Sequence, residues 1–306
     1  MAVLSHRDRR RQVQAVLQEI VRGIDHLPRP VLHKIMPVLG QAQRELDDAL
    51  TSWLRRQGGA ERFTAQRYRN ALRAVHEARS TIHRLQGTTE DALWLGATRA
   101  GQLATEHLET ELIKFGHIFE GTIQPIAFDQ AGVIAAGDRL LFKRFASSAA
   151  RYAGDVEGDV IRELAVSRIR SETIFEATNR LERRLPEVFH GQRSAAARLA
   201  HTETMNAYAA FNQEGLRAIN DDDPEMLARW DATFDSRRCP MCAALDGQVR
   251  NVAKGEQFEA AWTTATKKGL RHHSWHGDRP PGHPWCRCVL TPWRRDWPEY
   301  ARLWNP

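Results

Sequence analysis

Cys239-Pro-Met-Cys242 and His283-Pro-Trp-Cys286-Arg-Cys288 contain all four cysteines of the 306-residue chain. Two close thiol pairs separated by a loop suit one tetrahedral zinc ion, because each pair holds the metal with little further loss of chain entropy. Two disulfides are the alternative. We expect synthesis in a reducing cytosol, since Met1 to Arg11 is charged and no long apolar run follows it. That compartment favours metal at this spacing, and the sequence therefore predicts a structural zinc site.

The second motif offers three donors, His283, Cys286 and Cys288, for two ligand positions. The first prediction is an all-cysteine site of Cys239, Cys242, Cys286 and Cys288, because thiolates bind zinc strongly. The alternative is a site of three cysteines and His283. Both sets look closed, whereas catalytic zinc keeps one open position, so we do not expect an enzyme.

Two further metal hypotheses are weaker. His272, His273 and His276 could form a second site, but such a cluster is more often a polar loop. Cytidine-deaminase-like chemistry combines a His-x-Glu segment with a later Pro-Cys-x-x-Cys pair. His201-Thr-Glu203 matches the first element, whereas Arg238 stands where the second needs proline. This enzyme remains a minor alternative.

Apolar spacings of three and four predict helices from the start of the chain to about residue 220. The predicted helix boundaries are as follows: Pro28 and Pro30, Gly58-Gly59, Gly87 with a new helix opening at Thr89, a break between Gly116 and Gly137, and Pro186 before a long helix over 194–219.

After Asn220 the segments become short and rich in turns. Residues 230–234 and 247–252 are predicted strands, and residues 258–266 a short helix. The predicted fold class is therefore mainly α, with a long helical N-terminal region followed by a small α+β zinc-stabilised C-terminal module. We place the boundary between residues 190 and 191, giving domains 1–190 and 191–306.

The chain carries a net charge of +6, and residues 266–306 alone carry +5 together with five of the nine tryptophans. Arginine with interleaved tryptophan suits nucleic-acid or partner contacts. A solvated rim around a tryptophan-rich core is an equally good interpretation. The predicted contact residues are Arg271, Arg279, Arg294, Arg295, Trp293 and Trp297.

The C-terminal third resembles the phage head morphogenesis family, the Mu F-like minor head proteins of tailed bacteriophages. The resemblance depends on Ala200-His-Thr-Glu203, Trp230-Asp-Ala, Asp235-Ser-Arg-Arg-Cys-Pro-Met-Cys-Ala-Ala-Leu-Asp-Gly247 and Pro280-Pro-Gly-His-Pro-Trp-Cys-Arg-Cys288, within residues 195 to 292. It implies a minor capsid protein of the virion, inside the capsid near the portal vertex and made in the bacterial host cytoplasm.

The resemblance also implies partners: the portal protein, with the major capsid or scaffolding protein and DNA as further candidates, and no membrane. In that setting the helices bind the portal or shell during head assembly and DNA packaging, and Glu203 is a buried partner rather than a catalytic acid. Trp230 and Leu245 are expected in the core, Asp246-Gly247 in a turn, and Arg287 paired with an acidic residue. The competing function is a zinc-dependent nucleic-acid-binding protein or nucleic-acid enzyme.

Overall fold

The computed structural model describes residues 5–57, 61–77, 79–119, 130–232, 238–266 and 269–297. Helices dominate the first two thirds of the chain, and all strands described lie after residue 225, which confirms the mainly α class. In chain order the elements are α1 (His6–Ile24), α2 (Pro28–Arg56), α3 (Ala65–Glu77), α4 (Arg79–Phe119), α5 (Gln130–Ile169), α6 (Ile174–Asp222), β1 (Met226–Asp231), α7 (Pro240–Leu245), β2 (Val249–Arg250), β3 (Phe258–Thr266), β4 (Gly269–Gly277) and β5 (Val289–Arg294).

Several predicted helix breaks do not occur. Helix α4 runs through Gly87 and Thr89, and α6 runs through Pro186. Burial of the flanking residues outweighs the local cost of glycine or proline, because most helical stability in proteins comes from tertiary packing. Leu185 and Phe189, beside Pro186, are both fully buried. The predicted end of a helix at Arg56 is confirmed, and Gly58-Gly59, Pro125 and residues 120–129 lie outside the described residues.

The chain divides into two compact units, each assembled from separated segments. Unit 1 comprises residues 1–27, 96–142 and 201–306, and unit 2 comprises residues 28–95 and 143–200. The boundary at residues 190 and 191 stays a prediction. Among the described residues, none of the helices is long and apolar enough to cross a membrane.

Unit 2 is helical and contains a buried ion-pair network centred on Arg180. The guanidinium contacts Glu163 at 2.5 Å and Glu172 at 3.0 Å, and all three side chains are less than 15% exposed. Backbone bonds from Phe63 to Glu172 and from Ile174 to Glu61 fasten the start of α6 to the segment before α3.

Unit 1 contains a three-stranded antiparallel sheet in the order β2-β1-β5. Alternation along β1 places Trp230 and Ala228 on one face and Arg229 and Asp231 on the other. Trp230 and Ala228 join a core formed with α7, β3 and the cysteines. Leu245 is also fully buried there, so its predicted core position and that of Trp230 are confirmed.

A two-stranded hairpin, β3 with β4, is the second sheet. The predicted short helix over 258–266 is wrong, because this segment alternates between buried and exposed positions at its start and pairs residue by residue with β4. The loop expected around His272, His273 and His276 is strand β4.

Glu111 on α4 is a buried acid in unit 1. The residue is 0% exposed, and neither side-chain oxygen has a hydrogen-bond partner among the described residues. Burial raises the pKa of Glu111 well above its ordinary value of 4.5, and the Asp231 carboxylate raises it further. Folding therefore favours the protonated carboxyl.

We predict that Glu111→Gln stabilises unit 1 near neutral pH. The stability that the proton on Glu111 contributes is complete below the unfolded pKa and is lost as pH rises through the raised folded pKa. The variant imitates the protonated form, so its unfolding free energy should exceed that of the wild type by about 1.4 kcal/mol or more near pH 7. The two proteins should converge near pH 4, roughly the unfolded pKa.

Urea unfolding at a series of pH values measures this difference. Glu109→Gln is the matched control, since Glu109 lies on the same helix and is exposed. A gain shared by the control, or a gain independent of pH, would contradict the assignment.

Candidate metal centre

Cys239 and Cys242 are positioned by the start of helix α7. Cys239 is the N-cap in extended backbone, and Pro240 follows at the first helical position, where its missing N–H costs nothing. The Cys239 sulfur accepts a hydrogen bond from the backbone N–H of Cys242 at 3.3 Å. The Cys-x-x-Cys turn thus directs a backbone donor at sulfur, as the spacing predicts.

The loop between β4 and β5 supplies the other donors. The backbone N–H of Cys286 bonds to the carbonyl of His283 at 3.2 Å, which closes a turn. Trp285 within that turn has φ of 64°, a left-handed conformation that is uncommon outside glycine. Cys286 and Cys288 are each 1% exposed, and β5 begins directly after Cys288.

The structure brings all five predicted donors together in two overlapping groups. One contains Cys239, Cys242 and His283, and the other contains Cys242, Cys286 and Cys288, with the donor atoms in each group within 4.8 Å of one another. Cys242 belongs to both, and its sulfur lies 3.9 Å from the sulfur of Cys286. The four cysteines are free thiols, so the disulfide alternative is not adopted here. These groups could hold a metal ion.

The His283 ring is oriented as in a metal ligand. Its Nε2 lies 3.2 Å from the Cys239 sulfur and 3.1 Å from the Cys242 sulfur. Its Nδ1 lies 2.6 Å from the Pro284 carbonyl oxygen, which can only accept a hydrogen bond. Nδ1 therefore carries the proton, and in the neutral ring Nε2 presents its lone pair to the sulfurs.

Negative charge is unevenly shared among the thiols. The Cys242 hydrogen bond lowers the pKa of Cys239 to about 4, and the bond to Cys239 raises the pKa of His283 to about 9. Bonds from Cys242 and Cys288 hold the pKa of Cys286 well below its ordinary value. Hydrogen bonding to Cys239 raises the pKa of Cys242. The Cys242 bond lowers the pKa of Cys288, but its bond to Cys286 and burial outweigh this and raise it.

Two thiolates beside two protonated thiols make a donor set that a cation would complete. Thiols ligate metals as thiolates, so binding a divalent cation releases the remaining thiol protons and neutralises the crowded charge. The donor chemistry, three or four sulfurs and one imidazole nitrogen, fits zinc.

Asp246 supports the centre from behind. Its Oδ1 accepts the Ala232 backbone N–H at 3.0 Å, and its Oδ2 pairs with Arg238 at 3.1 Å. Burial raises the pKa of Asp246 to about 6. Gly247 has φ of 83°, so the predicted Asp246-Gly247 turn is confirmed. Arg237 lies outside the described residues.

His201 and Glu203 do not belong to either donor group. The His201 ring lies against Trp285, with centroids 5.0 Å apart. Glu203 is 5% exposed and accepts a hydrogen bond from Asn206 at 3.4 Å. Glu203 is therefore buried and bonded, as the assembly interpretation predicted.

The predicted contact residues of the basic tail are distributed differently from one another. Trp293 and Trp297 are at most 6% exposed, and their rings pack on each other and on Phe115 and Phe119 of α4. These rings form a core rather than a surface, because a buried ring cannot stack on a base. Trp304, Lys267 and Lys268 lie outside the described residues.

The arginines of the tail are mostly paired. Arg294 contacts Asp223 at 3.0 Å and Asp296 at 3.1 Å, Arg295 lies 3.7 Å from Glu225, and Arg279 bonds to Gln213 and Asp278. Arg287 has an acidic partner, as predicted, but that partner is Asp25 after α1, at 3.6 Å. Arg271 is exposed on β4.

Residues 161–291 match the model of the family described as phage Mu protein F like protein. This segment belongs to the Mu F-like family. No curated protein and no solved structure gives a significant match. The Mu F-like segment contains all five candidate metal donors and every strand except the end of β5. The family assigns the chain to phage head morphogenesis, and therefore to the virion and to interaction with other head components.

Sequence reasoning missed three features of the Mu F-like segment. These are the Pro284 carbonyl that fixes the His283 tautomer, the Asp25 partner of Arg287, and the hairpin. Alternating polar and apolar residues in Phe258 to Thr266, with three threonines, were an available signal for a strand.

Proposed function

We propose that the chain is a minor head protein that associates with the portal and acts in head assembly at the portal vertex, where it also contacts packaged DNA. The observation that supports this most is the combination of a Mu F-like match with a Cys/His cluster that fastens α7 to the loop before β5. Such a cluster makes a small turn-rich module rigid, which suits a connector between larger partners.

The cluster would hold one structural zinc ion. We propose Cys239, Cys242, His283 and Cys286 as its ligands. This is the three-cysteine alternative, and the distances of His283 Nε2 from two sulfurs favour it over four cysteines. Cys288, whose pKa is raised partly by burial, would support the centre as a thiol donor to Cys286.

We propose that the centre is not catalytic. Five donors surround a site for an ion that takes four, which leaves no position for a water molecule. The buried Glu203 carboxylate is held by Asn206. A zinc-dependent nucleic-acid enzyme, the competing function, requires an open metal position beside such a carboxylate.

Cosedimentation with procapsids tests the proposed function. We expect the full chain to sediment with procapsids that contain portal and to remain in the supernatant with portal-free shells. The Cβ-preserving control Ala243→Ser on α7 should behave as the wild type. Equal binding to both kinds of shell would overturn the portal assignment, and binding to neither would overturn the head role.

A further inference from the structure

Hairpin β3–β4 is an extended ribbon anchored only at one end. Nine consecutive residue pairs join the strands, from Phe258 with Gly277 to Thr266 with Gly269, a length of about 30 Å. At the root, Phe258 is fully buried and the Trp275 ring packs on Trp230 at 5.5 Å. Away from the root, side chains become exposed on both faces.

Cross-strand contacts keep the ribbon rigid beyond its root. His273 stacks on Trp262 with ring centroids 5.2 Å apart and planes 8° from parallel. The Thr264 hydroxyl lies 2.8 Å from Nε2 of His273, and the Thr263 hydroxyl 3.1 Å from Nδ1 of His272. A ribbon held in this way loses little conformational entropy when it binds a partner.

One face of the ribbon is exposed along its entire described length. The residues of this face are Glu259, Ala261, Thr263, Ala265, Leu270, His272, Ser274 and His276. Such a face has too few large apolar side chains to bury against a hydrophobic partner, since Leu270 is its one large aliphatic residue.

The charge of the ribbon is positive and concentrated away from the root. Residues 258–277 contain Lys267, Lys268 and Arg271 but one acid, Glu259, which lies next to the root. Among the described residues, no carboxylate forms an ion pair with Arg271, whereas Arg279, Arg294 and Arg295 each contact one. Arg271 therefore keeps its full charge for an external anion.

We propose that hairpin β3–β4 is the duplex DNA contact of this chain, with its basic end in the major groove. That groove admits a two-stranded β-ribbon, and lysine and arginine at the end of the ribbon would neutralise phosphates on its rim. Double-stranded RNA fits less well, because its major groove is deep and too narrow for side chains to enter. The proposal rests on the proposed function, in which DNA is the nearby polyanion.

Fluorescence anisotropy with a labelled random-sequence duplex of about 30 base pairs tests the proposal on the full zinc-loaded chain. The variant combines Lys267→Ala, Lys268→Ala and Arg271→Ala. We expect its affinity to fall about 10- to 100-fold near 0.1 M salt, and the slope of log affinity against log salt to become shallower by between about two and three.

The matched control combines Arg183→Ala, Arg193→Ala and Arg198→Ala, three exposed arginines on α6. It removes the same charge and should retain wild-type affinity. Equal losses in both triple variants would overturn the hairpin as the contact and leave non-specific attraction. No loss in the hairpin variant, or tighter binding to an RNA duplex than to DNA, would also overturn it.

Procapsid cosedimentation separates this inference from the proposed function. The hairpin variant should still sediment with portal-containing procapsids, because its changes lie far from the root in an exposed segment. If it loses DNA affinity but keeps portal-dependent sedimentation, both proposals are supported. If wild-type protein fails to sediment yet binds DNA through the hairpin, the portal role fails and the DNA contact stands.

Discussion

Cys242→Ser should unfold the small C-terminal module while leaving unit 2 folded. Cys242 is the residue shared by both donor groups, and its sulfur lies near His283 Nε2 and the Cys286 sulfur. A serine hydroxyl is a poor zinc ligand. Structural zinc contributes about 10–16 kcal/mol to folding of small zinc modules, which exceeds the stability that such a module has without metal.

Hydrogen exchange resolved along the chain measures the effect. In Cys242→Ser, strands β1 and β5 should lose their protection, and the helices within 28–95 should keep theirs. Ala243→Ser places the same side chain one residue further along α7 and should exchange like the wild type. Cys239→Ser should act like Cys242→Ser. Retained protease resistance of residues 226 to 292 in either cysteine variant would refute the structural role of the centre.

Trp230→Ala should have the second largest effect. The side chain is fully buried on β1, with ring centroids 5.3 Å from Phe258 and 5.5 Å from Trp275. It joins the central strand of the sheet to the root of the hairpin. Truncating a buried tryptophan to alanine costs about 3–5 kcal/mol, because the lost contacts leave a cavity.

Denaturant unfolding in the presence of zinc measures this cost, with Trp230→Phe as the control. The phenylalanine variant retains an aromatic ring in the cavity and should lose roughly 1.5 kcal/mol or less. Similar losses in the two variants would show that packing at Trp230 does not determine the stability of the module. A loss below about 1 kcal/mol for alanine would place Trp230 outside the core that the contacts define.

The sequence predicted the kinds of element better than their ends. Hydrophobic spacing identified the helices because each presents one buried face, but it did not show that α4 continues through Gly87 or α6 through Pro186. Those continuations depend on packing of residues such as Leu85 and Phe189, both fully buried. Local propensity contains no information about that packing.

The metal centre was predictable in its donors and not in its arrangement. Close cysteine pairs are a local pattern, so their meeting could be expected from spacing. The proximity of His283 Nε2 to Cys239 depends on the left-handed backbone of Trp285 and on the Pro284 carbonyl, which spacing does not specify. The burial of Trp293 and Trp297 likewise depends on Phe115 and Phe119, distant in sequence.

X-ray absorption at the zinc edge of the purified chain, together with elemental analysis, tests the central claim of a closed structural centre. We expect one zinc per chain with three sulfur ligands at about 2.3 Å and one nitrogen ligand at about 2.0 Å, and no water. His283→Ala should change the nitrogen contribution, and Cys288→Ser should leave the first coordination shell unchanged. A bound water, or no stoichiometric metal, would contradict the claim.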